Sequence, residues 1–257
     1  MTPPALSSSV VLMTVDAANR ATLARLQRAH VTTVPFENLS IVNNQYRKNG
    51  LSLSPSSLYE KIVERGRGGY CFECNGLFHW LLDALGYTVN RVAARVASAL
   101  QTPANHHINL VHLDRPYVVD VGTGPPMLRT PLPLDGTPRT DAAGVTWRIV
   151  DSDRPDAAHR AEVTPPDEDE WTPRYVFTPT PRDRDYFRPA HDYLRSAPES
   201  PFTGAPLVAR STDTGYGTLS GDTFVRTDGG TPTEYTVTEA SRDRLLRVFF
   251  RLPSPAA

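Results

Sequence analysis

The sequence predicts an α+β fold in three consecutive parts, and two changes of periodicity along the chain indicate it. Helix signals dominate residues 1–86, whereas apolar residues with a period of two begin after that. A smaller unit with both helix and strand patterns completes the chain. A chain of 257 residues is long enough for one large domain or for two to three small ones. We therefore divide the chain into parts 1–86, 87–184 and 185–257.

Three helices are predicted in the first part. Asp16 can cap the first of them, over 17–30. The second, over 55–66, begins with Ser54-Pro55, because proline at the first helical position loses only an amide that would be unpaired anyway. The third, over 72–85, is apolar around most of its circumference and ends at a glycine. This third helix should therefore lie inside the protein.

The alternation in the second part predicts an antiparallel sheet or a small barrel. Its candidate strands are 88–96, 108–113, 117–122, 146–150 and 174–177. The segment 151–170 is acidic and contains prolines, so we interpret it as a surface loop. In the third part a short helix over 185–198 comes before strands and a terminal helix. These later elements are 206–210, 217–220, 223–226, 233–238 and 239–250.

Composition argues against several classes of function. The chain has 27 Lys and Arg against 28 Asp and Glu, a net charge of −1, so it lacks the basic face that nucleic acids require. No apolar run approaches the roughly 20 residues that span a bilayer. The N-terminus shows no signal-peptide pattern. Two cysteines three residues apart do not make a disulfide framework. We expect a cytoplasmic protein with no nucleic-acid or membrane partner.

Both cysteines lie in the stretch 65-RGRGGYCFECNG-76, which allows several interpretations. A redox pair would need a surrounding β-α-β unit, and the element order does not predict one. A zinc site would need two more ligands at suitable spacing, for which only His107 and His112 offer a pair. Two buried structural cysteines are the simplest alternative.

A nucleophilic cysteine explains more of this stretch. Gly68 and Gly69 allow a sharp turn into a helix at Cys71. A thiol at a helix N-terminus faces unpaired amides and the positive end of the dipole, and both favour the thiolate. The same amides can stabilise an oxyanion. Cys74 lies one turn further along, past the strongest region of the dipole, so we predict Cys71 as the nucleophile.

A thiolate nucleophile usually works with a histidine that a carboxylate or amide orients. Asp120 lies within an apolar strand and needs a partner there, and His107 begins the strand before it. A two-residue turn between these strands would put His107 and Asp120 on one face of the sheet, whereas a three-residue turn would put them on opposite faces. The sequence does not choose between the turns, and His106 and His112 remain alternatives.

Five stretches of the chain together resemble the arylamine N-acetyltransferase family. The combination of P-F-E-N, R-G-G-Y-C-F-E and D-V-G is highly specific, and the stretches follow the family's order. They are 34–41, 58–78, 106–113 with 117–124, 185–202 and 245–252. The resemblance implies a helical bundle that carries the nucleophile, an antiparallel β-barrel that carries the histidine and the aspartate, and an α/β lid. Such a core is similar to that of cysteine proteases.

The resemblance also implies the chemistry and further site residues. It implies a triad of Cys71, His107 and Asp120, with no metal, that transfers acetyl from acetyl-CoA to an arylamine, hydrazine or hydroxylamine. Other roles are implied for Phe36, Tyr70, Thr123 and Phe202 in binding the acceptor, for Gly122 and Gly124 near the acyl donor, and for Glu37 and Arg67 as a buried supporting salt bridge.

The chain departs from the family's pattern at a few positions, and these bear on the substrate. Thr123 stands where an aromatic residue is usual, and Pro125-Pro126 follows where glycine or small polar residues are usual. Cys74 and His191 also replace more usual polar residues. A second hypothesis is therefore an amide synthase of the same fold, which takes a longer acyl chain from an acyl carrier protein. A cysteine hydrolase is a third.

Overall fold

A computed structural model of the chain describes residues 18–43, 46, 52–166, 168–229 and 231–254. The first helix, α1 (Arg20–Thr33), is capped by Asn19, whose Oδ1 accepts a hydrogen bond from the Thr22 amide at 2.9 Å. The predicted cap, Asp16, lies outside the described residues. No helix within the described ranges is long and apolar enough to cross a membrane.

The first part continues with short elements that lead to one long helix. Strand β1 (Phe36–Glu37) and helix α2 (Leu39–Val42) follow α1, and α3 (Pro55–Tyr59) passes into a π-helical turn over Glu60–Glu64. The long helix α4 (Cys71–Ala84) is buried along most of its length, as its apolar circumference predicts. Gly86 then adopts a positive φ of 81° and ends the helical part.

The second part is one antiparallel sheet of eight strands, in the order β5-β4-β3-β2-β9-β8-β7-β6. It is a nearly closed barrel, with Trp147, Tyr175 and Ile108 among its fully buried residues. The strands are β2 (Thr88–Val96), β3 (His106–His112), β4 (Pro116–Val119), β5 (Leu132–Pro133), β6 (Arg139–Thr140), β7 (Thr146–Asp151), β8 (His159–Thr164) and β9 (Thr172–Pro181).

One predicted loop is wrong. The segment 151–170 contains β8, which pairs with both β7 and β9. The strand escapes prediction because only its alternate side chains, Ala161 and Val163, are apolar and buried in the barrel core, while the charged Arg160 and Glu162 have the opposite orientation.

The third part begins with a 3₁₀ turn (Arg184–Phe187) and α5 (Arg188–Ser196) and ends with α6 (Glu239–Val248). Between these helices, β10 (Leu207–Ser211), β11 (Gly215–Ser220), β12 (Thr223–Asp228) and β13 (Thr233–Thr236) form an antiparallel sheet. Strand β1 completes this sheet, since Phe36 pairs with Ala209. The chain segment before Cys71 is therefore held by the third part. The architecture as a whole confirms the predicted α+β class.

Candidate active site

Cys71 is the first residue of α4 and lies almost entirely inside the protein. The helix start is fixed by Glu73, whose Oε2 accepts a hydrogen bond from the Tyr70 amide at 3.2 Å. The other carboxylate oxygen, Oε1, lies 2.7 Å from Nζ of Lys61, so a buried ion pair anchors this turn. Because Cys71 opens the helix, its amide and that of Phe72 have no acceptor within the helix.

The glycine-rich turn before Cys71 packs closely against β1. A Cβ at Gly68 would lie 2.0 Å from the Pro35 carbonyl oxygen, so only glycine fits there. Backbone hydrogen bonds join Glu37 N to Gly69 O at 3.0 Å and Gly69 N to Pro35 O at 3.2 Å. The turn that leads to Cys71 is thus held by backbone contacts to the strand that precedes it.

The histidine that meets Asp120 is His106 and not His107, which the resemblance implies as the triad histidine. Nε2 of His106 lies 2.6 Å from Oδ2 of Asp120, and both side chains are buried. The cause is the turn between β3 and β4, which has three residues because His112 pairs with Pro116. In that register Asp120 has the same orientation as residues 106 and 108, and His107 faces the other side of the sheet.

Asp120 is fully buried, and three hydrogen bonds hold its carboxylate. Besides His106, Oδ1 accepts from Asn75 Nδ2 and from the Gly122 amide, each at 2.8 Å. Asn75 also donates to the His107 carbonyl at 2.6 Å and accepts from the Val121 amide at 2.9 Å. Asn75 is therefore a site residue that the sequence reasoning missed. Its signal is its position four residues after Cys71, on the same face of α4.

The environment of His106 favours its charged form. Burial opposes ionisation of the ring, but the charge of Asp120, its hydrogen bond and the adjacent Cys71 thiol together raise the pKa of His106 to about 10. Because Nε2 faces the carboxylate, Nδ1 is the nitrogen left for the hydrogen bond with the thiol. The ring of Tyr175 lies 5.3 Å from that of His106 and closes the other side. The arrangement can hold a thiolate beside an imidazolium.

The second cysteine, Cys74, has a different environment. It is buried, and its sulfur lies 3.1 Å from the Gly69 carbonyl oxygen, to which the thiol donates. Burial, followed by the charge of Glu73, raises the pKa of Cys74 well above its usual value. Both cysteines are free thiols. Within the described residues, no three His, Cys, Asp or Glu side chains are grouped so that they could hold a metal ion.

The remaining histidines of β3 lie outside this cluster. The ring of His107 stacks on Phe187 at 4.6 Å, and burial together with the charge of Arg91 lowers its pKa well below the usual value. His112 is exposed and contacts Asn90 at 2.9 Å. Neither of these two rings therefore contacts the carboxylate of Asp120.

Three predicted acceptor residues come together beside the nucleophile. The ring of Phe202 lies 5.2 Å from that of Tyr70 and 6.0 Å from that of Phe36. A Cβ at Gly124 would lie 3.8 Å from the Phe36 ring, which places this glycine at the edge of the aromatic group. The Tyr70 hydroxyl also forms a hydrogen bond with Nδ1 of His191 on α5.

The segment after Asp120 is held close to Cys71. A Cβ at Gly122 would lie 2.7 Å from Cys71 Cα, so the two backbones are in contact. The Thr123 hydroxyl lies 3.1 Å from the Gly124 carbonyl oxygen, and Thr123 O accepts from the half-buried Arg174 guanidinium at 3.2 Å. Thr123 thus occupies the position between the two glycines with a small polar side chain.

Glu37 and Arg67 form a buried ion pair. Oε1 of Glu37 lies 2.7 Å from an amino nitrogen of Arg67, and Oε2 accepts from the Leu39 amide at 2.6 Å. Burial by itself would raise the pKa of Glu37, but Lys61 and Arg67 outweigh it and lower that pKa. The pair joins β1 to the turn that carries Cys71.

Comparison with known proteins places these features in one family. Residues 20–255 match the family model described as N-acetyltransferase. The arylamine N-acetyltransferase of Mycolicibacterium smegmatis is 34% identical over 200 residues, which cover 75% of this chain and 70% of that protein. The proansamycin X synthase of Amycolatopsis mediterranei is 30% identical over 179 residues, which cover 68% of this chain and 66% of that protein.

A solved structure from this family has a similar fold. The arylamine N-acetyltransferase of Mycobacterium marinum, determined in complex with CoA, superposes with a TM-score of 0.81 at 29% identity. The match covers 91% of this chain and 87% of that one.

Proposed function

This chain belongs to the arylamine N-acetyltransferase family and is an acyltransferase, and from that premise we propose that it transfers acetyl from acetyl-CoA to an aromatic amine, hydrazine or hydroxylamine through Cys71. The contact between His106 and Asp120, with the Cys71 thiol against the same ring, carries the proposal. We assign Cys71 as nucleophile, His106 as the base that accepts its proton, and Asp120 as the group that orients the ring.

The first half-reaction moves the acetyl group to the enzyme. The Cys71 thiolate attacks the thioester carbonyl carbon, a new C–S bond forms, and the bond to the CoA sulfur breaks. The departing CoA thiolate takes its proton from the His106 imidazolium. One thioester replaces another, so the step is close to isoenergetic. The amides at the start of α4 can donate to the oxyanion that forms during the attack.

The second half-reaction releases the acetyl group to the amine. The amine nitrogen attacks the acetyl carbon on Cys71, a C–N bond forms, and the C–S bond breaks. The nitrogen loses a proton to His106, and the Cys71 thiolate is restored beside the imidazolium. The apolar surroundings of Phe36, Tyr70 and Phe202 would keep water from the acyl-enzyme and favour a flat aromatic acceptor.

A second candidate function is supported by one position and one relative. Thr123 leaves less side-chain volume between the two glycines than an aromatic residue would. The proansamycin X synthase relative carries the name of a synthase. An amide synthase of this fold would use the same Cys71 chemistry with a longer acyl chain delivered by a carrier protein.

Steady-state kinetics with pairs of donors and acceptors test the proposal. With acetyl-CoA and an aromatic amine or hydrazine, we expect parallel double-reciprocal lines, because the two substrates react in separate half-reactions. Cys71→Ser is the matched control, since it replaces only the sulfur with oxygen, and it should lose nearly all transfer. Turnover with carrier-bound acyl chains and none with acetyl-CoA would favour the synthase instead. No acyl transfer from either donor class would contradict both functions.

A further inference from the structure

A cavity of about 250 Å³ opens beside β2, away from the catalytic histidine. Its wall includes Arg91, which pairs with Asn109 across the β2–β3 ladder. Asn109 has the same orientation on β3 as His107 and the opposite orientation to His106. The cavity is therefore on the other side of the sheet from the proposed acyl-transfer site.

Two arginines, Arg91 and Arg182, line this cavity side by side. The backbone amide of Arg182 donates to the Arg91 carbonyl at 2.9 Å, which holds the two residues side by side. Within the described part of the chain, neither guanidinium forms an ion pair; that of Arg182 lies over the Tyr186 ring at 4.5 Å. Asp83 and Asp183 act on Arg91 only as more distant charges.

The charge of Arg91 is in an unfavourable environment. Burial, and then the positive charge of Arg184, lower the pKa of Arg91 below its usual value. Arg91 also borders a smaller cavity, which Arg184 and His107 line as well. Nε2 of His107 is buried and finds no hydrogen-bond partner among the described residues. The guanidinium of Arg91 is partly desolvated and lies near that of Arg184, so a bound anion would stabilise its charge.

We propose that the larger cavity binds a phosphate dianion, either free phosphate or the phosphate group of a small metabolite, between Arg91 and Arg182. Guanidinium groups match phosphate oxygens in planar, paired hydrogen bonds, so each of the two arginines can bind two oxygens of the anion. Asp183 in the same wall can accept a hydrogen bond from the protonated oxygen of monohydrogen phosphate. Asn90 and His79 complete the polar wall.

Isothermal titration of the full chain with inorganic phosphate tests this site. The wild type should bind, and Arg91→Gln and Arg182→Gln should each weaken binding about tenfold or more, because each loses a charge-assisted contact. Arg154→Gln is the control, since that arginine does not line the cavity and is paired with Asp156, and this variant should bind as the wild type does. No heat of binding with the wild type, or equal binding by both cavity variants, would overturn the proposal.

Thermal unfolding separates this site from the acyl-donor site. Phosphate should raise the midpoint of the wild type but not that of Arg91→Gln. Without phosphate, Arg91→Gln should unfold no earlier than the wild type, because it removes a half-buried charge that faces Arg184. The phosphate effect should persist in saturating CoA. If CoA abolished it, the anion would be competing for the donor site and the proposed cavity would be refuted.

Discussion

Nε2 of His106 lies 2.6 Å from Oδ2 of Asp120, in a contact from which solvent is excluded. A buried carboxylate that accepts from one ring nitrogen fixes the direction of the other, and this orients the ring on Cys71. His107, the next residue, faces Phe187 on the opposite side of the strand. Adjacent histidines thus have different environments.

Substitution of each histidine by glutamine should separate their roles. His106→Gln should slow formation of the acyl-enzyme by roughly 10²- to 10⁴-fold, because the base is lost. His107→Gln, with circular dichroism to confirm its fold, should retain acylation within a few-fold. Rapid-quench mass spectrometry with acetyl-CoA measures both rates. Equal losses in the two variants would remove the assignment to His106.

The stability of the protein should depend on pH through His106. Its pKa is raised from 6.5 to about 10 in the folded protein, so the folded state holds a proton that the unfolded chain releases. The stabilisation is complete below about pH 6.5 and is lost as the pH rises toward 10. The difference in unfolding free energy between the wild type and His106→Gln, from urea titrations, should shrink across that range. A difference that grows with pH would mean that the ring is neutral in the folded state.

Loss of Arg67 should destabilise the fold strongly. Arg67→Met leaves the fully buried Glu37 without its closest cation, at an expected cost of roughly 3–5 kcal/mol in unfolding free energy. The double variant Glu37→Leu with Arg67→Met should recover much of that loss, since no unpaired charge remains. Chemical denaturation measures all three proteins. If the single variant were as stable as the wild type, the ion pair would not hold β1 to the nucleophile turn.

The contact between Gly122 and Cys71 should limit side chains at this position. In Gly122→Ala, the new Cβ would lie 2.7 Å from Cys71 Cα, so the nucleophile must shift. We expect acylation to fall by roughly 10²-fold, since small displacements of reacting groups cost about that much. Gly204→Ala is the control, because its Cβ would meet nothing within 4 Å. Activity in Gly122→Ala equal to that control would show that the backbones can separate freely.

Much of the fold follows from local sequence signals. The apolar circumference of α4 predicts a buried helix and the alternation in β2 and β7 predicts strands, and the structure has all three at nearly the expected bounds. Strand β8 is less visible, because its outward residues are charged and its apolar residues are few. The cap at Asn19 also competes with other polar residues nearby, which the sequence cannot rank.

Two of the three residues that meet at the candidate site stand out in the sequence, but the histidine does not. Cys71 and Asp120 stand out because each has a local reason to be unusual: a glycine turn before a helix, and a carboxylate in an apolar strand. The choice between His106 and His107 depends on one residue in the length of the β3–β4 turn, which sets the register of the whole ladder. Asn75 is a long-range contact of Asp120, and only the packed structure reveals it.

The most direct measurement is the intact mass of the protein after brief mixing with acetyl-CoA, followed by peptide mapping. We predict a single added acetyl group, located on Cys71, that disappears when an aromatic amine is added. Cys71→Ser should stay unlabelled, and Cys74→Ser should be labelled as the wild type is, because the Cys74 thiol is buried against Gly69. Label on Cys74, or product formation with no labelled Cys71, would contradict transfer through this sulfur.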